Sequence, residues 1–280
     1  MLIDASTLRR RLATGEKFDL IDVRDHVDWR QATLPDAHHL NVYDYFIPDA
    51  TEAGVQQMAA SFLHAWRQLP LRPDATPVFF EHQVGMRSPR GVWFCELAGE
   101  RSPLLLDGGL TAWRLAGGAV SPGRGISAVV SASHHVPLPV DFRREHTATR
   151  DEVIHADGVT TLILDARRPT EFDGSFAHPC CPRAGRIPGA ILLFWEDMVH
   201  GGRFLAPEEI ARRAQAAGLQ PHQRIIAYCH RGARAATVTT ALRLAGYTRL
   251  AVYVGSWHEW AEHQELPLQR GAPTGAGPQA

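Results

Sequence analysis

Several features that mark other classes of protein are scarce in this sequence. The 29 basic and 30 acidic side chains leave a formal net charge of −1, which gives no electrostatic argument for a nucleic-acid partner. No apolar run approaches the length of a membrane span, and the first residues lack the charged-then-apolar pattern of a signal peptide. We therefore expect neither nucleic acid nor membrane among the partners.

Cysteine and lysine are also rare. Four cysteines in 280 residues are too few for a disulfide framework, and the adjacent Cys180 and Cys181 are awkwardly placed to bond to each other. This usage favours a reducing, cytoplasmic location. Lys17 is the one lysine among the basic residues, which we attribute to genome composition and not to mechanism.

The order of predicted strands and helices occurs twice along the chain. An Asp-x-Arg turn follows a short apolar strand at Asp22 and again at Asp165. In the last third of each half, four identities recur at a constant spacing of 147 residues, which indicates an internal duplication. The matched pairs are Gly85 and Gly232, Arg87 and Arg234, Gly108 and Gly255, and Trp113 and Trp260.

The alternating strand and helix patterns predict an α/β fold. Each copy is expected to form a mainly parallel sheet flanked by helices on both faces. We assign residues 1–120 to the first domain and residues 145–271 to the second. The intervening segment, 121–144, has the Gly, Ser and Pro content of a linker, and the Gly/Pro/Ala-rich tail, 272–280, is expected to be disordered.

The most informative stretch is the end of a short buried strand, residues 225–228, which leads directly into Cys229. A tight loop containing Gly232 follows, and then an Ala- and Leu-rich helix. Backbone N–H groups at a helix N-terminus point into such a loop. We therefore expect the thiol of Cys229 to be partly ionised at neutral pH, with Arg231 and Arg234 favouring the thiolate.

The first copy lacks this thiol, since the spacing of 147 residues places His82 opposite Cys229. Ligands of α/β sheets bind beyond the carboxyl ends of the strands. The loops after Asp165 and Ile187 should therefore converge on the Cys229 loop. The first copy is expected to provide a wall that excludes water from this site.

These motifs resemble those of the rhodanese sulfurtransferases. The shared motifs are Asp-x-Arg, Gly-x-Ile-Pro-Gly-Ala, Tyr-Cys-x-x-Gly-x-Arg and Tyr-x-Gly-Ser-Trp-x-x-Trp. The resemblance includes the tandem arrangement in which only the C-terminal domain carries the active cysteine. It implies two rhodanese-like domains and a double displacement that needs no cofactor or metal. Cys229 would take the outer sulfur of a donor such as thiosulfate as a persulfide and pass it to cyanide or a thiol.

Cys229 is accordingly the predicted nucleophile, and the residues after it form the predicted substrate-binding loop. Arg231 falls where thiosulfate-using members of the family carry a cation and mercaptopyruvate-using members usually carry Ser or Thr. Arg234 either binds substrate or braces the loop from beneath, and both roles stay open. The predicted loop residues are His230, Arg231, Gly232, Ala233 and Arg234.

Outside the loop, Glu171 stands where vertebrate members have a substrate-binding Arg. Arg186 or Arg183 is therefore a candidate replacement ligand, and Trp195 is a candidate for the pocket wall. Cys180 and Cys181 could relay sulfur or form a disulfide with Cys229, but loop thiols without a role are the favoured interpretation. Two cysteines alone make a poor zinc site.

Three other functions are considered beside a thiosulfate sulfurtransferase: a 3-mercaptopyruvate sulfurtransferase, a non-enzymatic sulfur carrier and a cysteine-dependent phosphatase. The phosphatase loop needs five residues between Cys and Arg to surround a phosphate, whereas four separate Cys229 from Arg234 here. The shorter loop argues against that alternative. The expected partners are a small sulfur donor and a cyanide or thiol acceptor, and the chain is expected to act as a monomer.

Overall fold

The computed structural model describes residues 1–47, 49–130 and 142–271. Short apolar runs form the strands, and helices connect them, as the alternating pattern predicts. The elements of the first repeat are β1 (Leu2–Asp4), α1 (Ala5–Ala13), β2 (Phe18–Asp22), α2 (His26–Gln31), β3 (His38–Asn41), α3 (Glu52–Arg67), β4 (Thr76–Phe80), α4 (Ser88–Leu97), β5 (Leu104–Asp107), α5 (Gly109–Leu115) and β6 (Ser127–Val129).

The second repeat follows the same sequence of elements, with an additional β-hairpin. Its elements are β7 (Thr147–Ala148), α6 (Arg150–Ile154), β8 (Thr161–Asp165), α7 (Pro169–Asp173), β9 (Ile191–Leu192), β10 (Val199–His200), β11 (Arg203–Phe204), α8 (Pro207–Ala216), β12 (Arg224–Tyr228), α9 (Ala233–Leu244), β13 (Leu250–Tyr253) and α10 (Ser256–Glu262).

Within the described residues, no helix combines the length and apolar character needed to cross a bilayer.

Each repeat builds one parallel sheet; the two sheets share the same order over five strands, and the first sheet has β6 as a sixth strand at its edge. The order is β1-β5-β4-β2-β3-β6 in the first sheet and β7-β13-β12-β8-β9 in the second. Every pairing within these two sheets is parallel. The central strands β4 and β12 therefore occupy equivalent positions, which confirms the α/β fold and the duplication predicted from the sequence.

The segment expected to be a linker, 121–144, is partly built into the first sheet. Strand β6 pairs with β3 at the sheet edge, and the hydroxyl of Ser127 lies 2.7 Å from Nδ1 of His39. The linker prediction is wrong for these residues because the unpaired edge of β3 is completed by the chain that leaves the repeat. Residues 131–141 of the segment and the predicted disordered tail lie outside the described residues.

The two repeats meet through α4 and α9, and their contacts are reciprocal. Thr237 of α9 donates a hydrogen bond to the carbonyl of Gly85 at 2.8 Å. Arg90 of α4, at the equivalent position, donates to the carbonyl of Arg231 at 3.2 Å. Each helix thus holds the loop that precedes the other helix, as expected for two copies related by an approximate twofold axis.

In each sheet, a buried Asp–Arg pair lies at the carboxyl end of an interior strand. In the second repeat, both carboxylate oxygens of Asp165 accept hydrogen bonds from Arg167, the shortest at 2.6 Å. The hydroxyl of Tyr228, the residue before Cys229, donates to Asp165 at 2.6 Å and accepts from the backbone N–H of Ile187 at 3.2 Å. This network joins three loops at the carboxyl edge of the sheet, so Asp165 has a structural role.

Replacing Asp165 by Asn removes the charge and leaves the buried guanidinium of Arg167 without a counterion. We expect the free energy of unfolding of the second domain to fall by about 3–5 kcal/mol, the usual cost of breaking a buried ion pair. Denaturant unfolding followed by tryptophan fluorescence would measure it. Asp74→Asn, at an exposed pair with Lys17, is the control and should leave the transition unchanged; an unchanged transition for D165N would show that the network is dispensable.

Candidate active site

The thiol of Cys229 lies where β12 ends and the loop to α9 begins. Gly232 precedes α9 with φ +85°, and a Cβ there would lie 2.9 Å from the Val254 side chain. Both conditions require glycine. Its backbone N–H donates to Sγ of Cys229 at 3.1 Å. The loop therefore closes around a sulfur atom that is almost completely buried, with 1% of the residue exposed.

The Ser-Trp pair after β13 fixes the backbone of Cys229. The hydroxyl of Ser256 accepts from the N–H of Cys229 at 3.1 Å and donates to the carbonyl of Tyr253 at 2.8 Å. The N–H of Trp257 donates to the carbonyl of Cys229 at 3.0 Å. Ser256 has φ +56°, a conformation that is uncommon for a residue other than glycine. The neighbouring strand thus holds the thiol in place through a strained turn.

Cys229 opens onto a pocket of about 540 Å³ at the carboxyl edge of the second sheet. The first repeat supplies one wall, as expected from the sequence, and its residues are Tyr43, Phe46 and Met86. The opposite wall, from the second repeat, consists of Arg168, Glu171, Phe176, His178, Trp195 and Glu196. The loop contributes Cys229, His230, Arg231, Ala233 and Arg234.

Arg231 brings a positive charge to this pocket that no carboxylate neutralises within the described residues. Its guanidinium lies over the ring of Phe46, 4.7 Å from the ring centroid. Its buried Nε atom has no hydrogen-bond partner in the described part of the chain. A buried donor of this kind without a partner is costly in a folded protein, which is consistent with a site that binds an anion.

Arg234 makes the bracing contact, which is one of the two roles left open for it by the sequence. Its two terminal nitrogens donate to the carboxylate oxygens of Glu171 at 2.5 and 2.9 Å. Burial by itself would raise the pKa of Glu171, but the paired guanidinium outweighs it and holds that pKa below its usual value. This pair explains why position 171 carries a glutamate where vertebrate members have an arginine: the carboxylate neutralises Arg234 and ties the loop to α7.

Arg186 does not reach the pocket. Its guanidinium is buried and donates to the backbone carbonyls of Phe172 at 3.3 Å and Gly271 at 2.7 Å. The prediction that Arg186 replaces a missing substrate ligand is therefore wrong, since its hydrogen bonds hold the end of the domain together. Trp195, the other candidate outside the loop, lies in the pocket wall.

His230 is surrounded by residues whose proximity no sequence pattern predicts. Its ring stacks on His178 at 4.2 Å and meets the edge of His258 at 5.7 Å. Burial, followed by the cationic neighbours, lowers the pKa of His230 to about 3, so its imidazole is neutral at physiological pH. Sγ of Cys180 lies 3.4 Å from Nε2 of His230, and Sγ of Cys181 lies 3.8 Å from Nδ1.

Arg90, from α4 of the first repeat, is a site residue that the sequence analysis missed. Besides its bond to the Arg231 carbonyl, it donates to the carbonyl of Tyr45 at 2.5 Å and lies over the Phe46 ring. Burial lowers the pKa of Arg90 to about 10, and attraction to Cys229 opposes the shift. The Ser-Pro start of α4 places Arg90 in the first turn, but no local pattern indicates that it faces the other repeat.

The equivalent loop of the first repeat holds an acidic side chain. The carboxyl of Glu81 accepts hydrogen bonds from the backbone N–H groups of Gly85, Arg87 and Ser88 at 3.2, 3.0 and 2.8 Å. The Ser88 hydroxyl donates to the same carboxyl at 2.9 Å. The loop before α4 therefore forms a binding site for a carboxyl group out of backbone donors.

The comparison with known families agrees with this geometry. The rhodanese-like domain matches the chain twice, over residues 4–116 and 149–263. These ranges correspond to the two repeats and together cover most of the chain. The protein belongs to the rhodanese family and consists of two rhodanese-like domains in tandem.

Named relatives and a solved structure are similar over most of their length. The thiosulfate sulfurtransferase of Azotobacter vinelandii is 27% identical over 96% of this chain and 97% of its own. A probable 3-mercaptopyruvate sulfurtransferase of Pseudomonas aeruginosa is 32% identical over 80% of this chain and 75% of its own. The crystal structure of a probable thiosulfate sulfurtransferase is 29% identical, with a TM-score of 0.69 over 91% of this chain and 98% of that one.

Replacing Arg90 by Met removes a buried positive charge and its two hydrogen bonds to loop carbonyls. We expect Cys229 to react with iodoacetamide about tenfold more slowly at neutral pH, because its sulfur loses the electrostatic attraction to a buried guanidinium, and a tenfold change corresponds to about 1.4 kcal/mol. Peptide mass spectrometry would separate the alkylation of Cys229 from that of the exposed Cys180.

The matched control for this experiment is Arg114→Met, which changes an exposed arginine in the last turn of α5 and should react at the parental rate. Arg90→Lys should recover part of the lost reactivity. A parental rate for Arg90→Met would contradict an effect of the first repeat on the thiol.

Proposed function

We propose that this protein moves a sulfane sulfur from thiosulfate to cyanide or a thiol through a persulfide on Cys229. Its enzyme class, sulfurtransferase, is that of its named relatives. One observation carries the proposal: a buried thiol, which accepts from the backbone N–H of Gly232, shares its pocket with the guanidinium of Arg231, which forms no ion pair within the described residues. A small sulfur-containing anion is complementary to that arrangement.

In the first half-reaction, the thiolate of Cys229 attacks the outer sulfur of thiosulfate. The new S–S bond forms as the bond to the sulfonate sulfur breaks, and sulfite leaves with the electron pair. The sulfonate group is negatively charged throughout, and Arg231 is the cation of the Cys229 loop that is available to bind it. A guanidinium matches the oxygen spacing of such groups and forms charge-assisted hydrogen bonds with them.

The persulfide left on Cys229 is an anion and needs the same kind of stabilisation. The first N–H groups of a helix have no partner within the helix, and at α9 these include the N–H groups of Arg234 and Ala235. Their counterparts in the first repeat, at Arg87 and Ser88, bind the Glu81 carboxyl. This parallel supports the loop before α9 as the binding site of the persulfide.

The second half-reaction regenerates the enzyme. Cyanide or a thiolate attacks the terminal sulfur, the persulfide S–S bond breaks, and Cys229 recovers its thiolate. With cyanide the product is thiocyanate. Because sulfite leaves before the acceptor reacts, the kinetics should be ping-pong.

3-Mercaptopyruvate is the alternative donor, and the similarity to the probable 3-mercaptopyruvate sulfurtransferase favours it. Two features favour thiosulfate: Arg231 stands in the loop, and Glu171 neutralises Arg234. Comparing kcat/KM for the two donors would decide between them.

Two other functions would give different results. A protein that turns over both donors slowly, yet accepts sulfur rapidly from a desulfurase, would be a sulfur carrier. Hydrolysis of an aryl phosphate would indicate a phosphatase.

Two further expectations accompany this function. We infer a cytoplasmic location, where the free thiol of Cys229 would stay reduced. We also infer that the chain acts as a monomer, because both walls of the pocket come from the same chain. Size-exclusion chromatography with light scattering would test the second inference.

Cys229→Ser should abolish the release of sulfite from thiosulfate in the presence of cyanide while the protein stays folded. The parent protein, incubated with thiosulfate alone, should gain the mass of one sulfur atom, and the variant should gain none. His82→Ala is the control, since His82 holds the matching position in the first repeat and contacts Asp28 at 3.2 Å. Substantial turnover by Cys229→Ser would refute the persulfide mechanism.

Arg231→Ala should raise the KM for thiosulfate by about tenfold or more and change kcat less. A hydrogen bond to a charged group contributes about 1.5–3 kcal/mol, which corresponds to that range. Steady-state kinetics at varied thiosulfate would measure the effect, with Arg212→Ala, on the exposed side of α8, as the control. A KM equal to that of the parent protein would remove Arg231 from the anion site.

A further inference from the structure

Three side chains at the rim of the pocket form a cluster that the sulfur-transfer chemistry does not use. His178 and Cys180 belong to the loop between α7 and β9, and His230 follows Cys229. Nδ1 of His178 lies 3.1 Å from Sγ of Cys180, and that sulfur lies 3.4 Å from Nε2 of His230. One donor atom from each of the three residues falls within 4.8 Å of the others.

These separations are close to those between ligands of one zinc ion. Zinc binds sulfur at about 2.3 Å and imidazole nitrogen at about 2.0–2.1 Å in tetrahedral geometry, which places neighbouring donors about 3.4–3.6 Å apart. His178 and Cys180 are exposed, so small side-chain rotations are enough to open the cluster around an ion. Two imidazoles and one thiolate are a donor set that suits zinc.

We propose that His178, Cys180 and His230 bind a zinc ion at the mouth of the pocket. The thiol of Cys180 would lose its proton to solvent as the Zn–S bond forms. Three protein ligands leave a fourth position for water or an anion. Zinc binding at these three residues does not require the reaction proposed for Cys229.

The surroundings of the cluster supply the partners that metal ligands require. Sγ of Cys181 lies 3.8 Å from Nδ1 of His230, whereas Sγ of Cys180 lies 3.4 Å from Nε2. With Nε2 on the metal, Nδ1 carries the proton and points it toward Cys181, an outer partner that orients the imidazole. Nη2 of Arg231 donates to Sγ of Cys180 at 3.6 Å.

Zinc at this position would restrict the pocket, because His230 and Arg231 both line it. We therefore expect zinc to inhibit the enzyme reversibly, with activity restored by a chelator. This consequence, unlike the site itself, rests on the proposed sulfurtransferase function.

Metal binding is best measured in the Cys229→Ser background, where the nucleophile cannot act as a ligand. Competition with a chromophoric chelator should give one zinc per chain, and cobalt should produce a sulfur-to-metal charge-transfer band with tetrahedral d–d absorption. Adding Cys180→Ser should abolish the charge-transfer band. Cys180→Ser or His178→Ala should weaken zinc binding by about 100-fold or more, because even outer partners of a metal account for 10–100-fold.

The matched controls are Cys181→Ser and His155→Ala, which change a neighbouring thiol and an exposed histidine of the second repeat. His155→Ala should bind zinc with parental affinity, and Cys181→Ser, which changes an outer partner and not a ligand, should bind one zinc with a smaller loss of affinity than Cys180→Ser. Failure to bind an equivalent of zinc, undiminished binding by Cys180→Ser, or loss of binding in Cys181→Ser to the same degree would each overturn the assignment. None of these outcomes depends on sulfur transfer.

Activity measurements test the expected inhibition by zinc separately, in the protein with Cys229 intact. Cys180→Ser should have parental activity without zinc and lose its sensitivity to zinc. Inhibition of this variant at the parental zinc concentration would show that zinc acts elsewhere, for example on Cys229 directly. If the parent protein has no sulfurtransferase activity, the proposed function fails while the binding measurements still decide the metal site.

Discussion

The active-site loop depends on a hydrogen bond that crosses from one repeat to the other. The guanidinium of Arg90 holds the carbonyl of Arg231, while Thr237 holds the carbonyl of Gly85 in the opposite direction. Neither loop is therefore complete within its own repeat. The contact also brings a buried cation from the first repeat close to the thiol of Cys229, so the first repeat contributes to the electrostatics of the candidate site in the second.

Not every positive side chain in the pocket has its charge available to a ligand. Glu171 neutralises Arg234 and positions the loop, whereas Arg231 keeps its charge and packs on Phe46. The neutral imidazole of His230 adds no charge. Of the two arginines in the loop, Arg231 is therefore the one whose charge stays available to an anion, beside the exposed Arg168 of the pocket wall.

The sequence was sufficient for the features that are local or repeated. The spacing of 147 residues revealed the duplication, and the position of Cys229 between a strand and an Ala-rich helix located the reactive thiol. Arg186 was assigned incorrectly because a sequence does not give the direction of a side chain, and this one turns inward to backbone carbonyls. Arg90 and the Cys180–His230 contact were missed because they join residues far apart in the chain.

The carboxyl of Glu81 gives the two halves different thermodynamic behaviour. The first loop carries a ligand that is covalently part of the chain, so its occupancy is fixed and does not vary with solute concentration. A ligand of the second loop would have to come from solution, and by mass action a ligand that prefers the folded state stabilises its domain more as its concentration rises above its dissociation constant. The first loop is thus permanently occupied, whereas the stability of the second domain would depend on the concentration of whatever its loop binds.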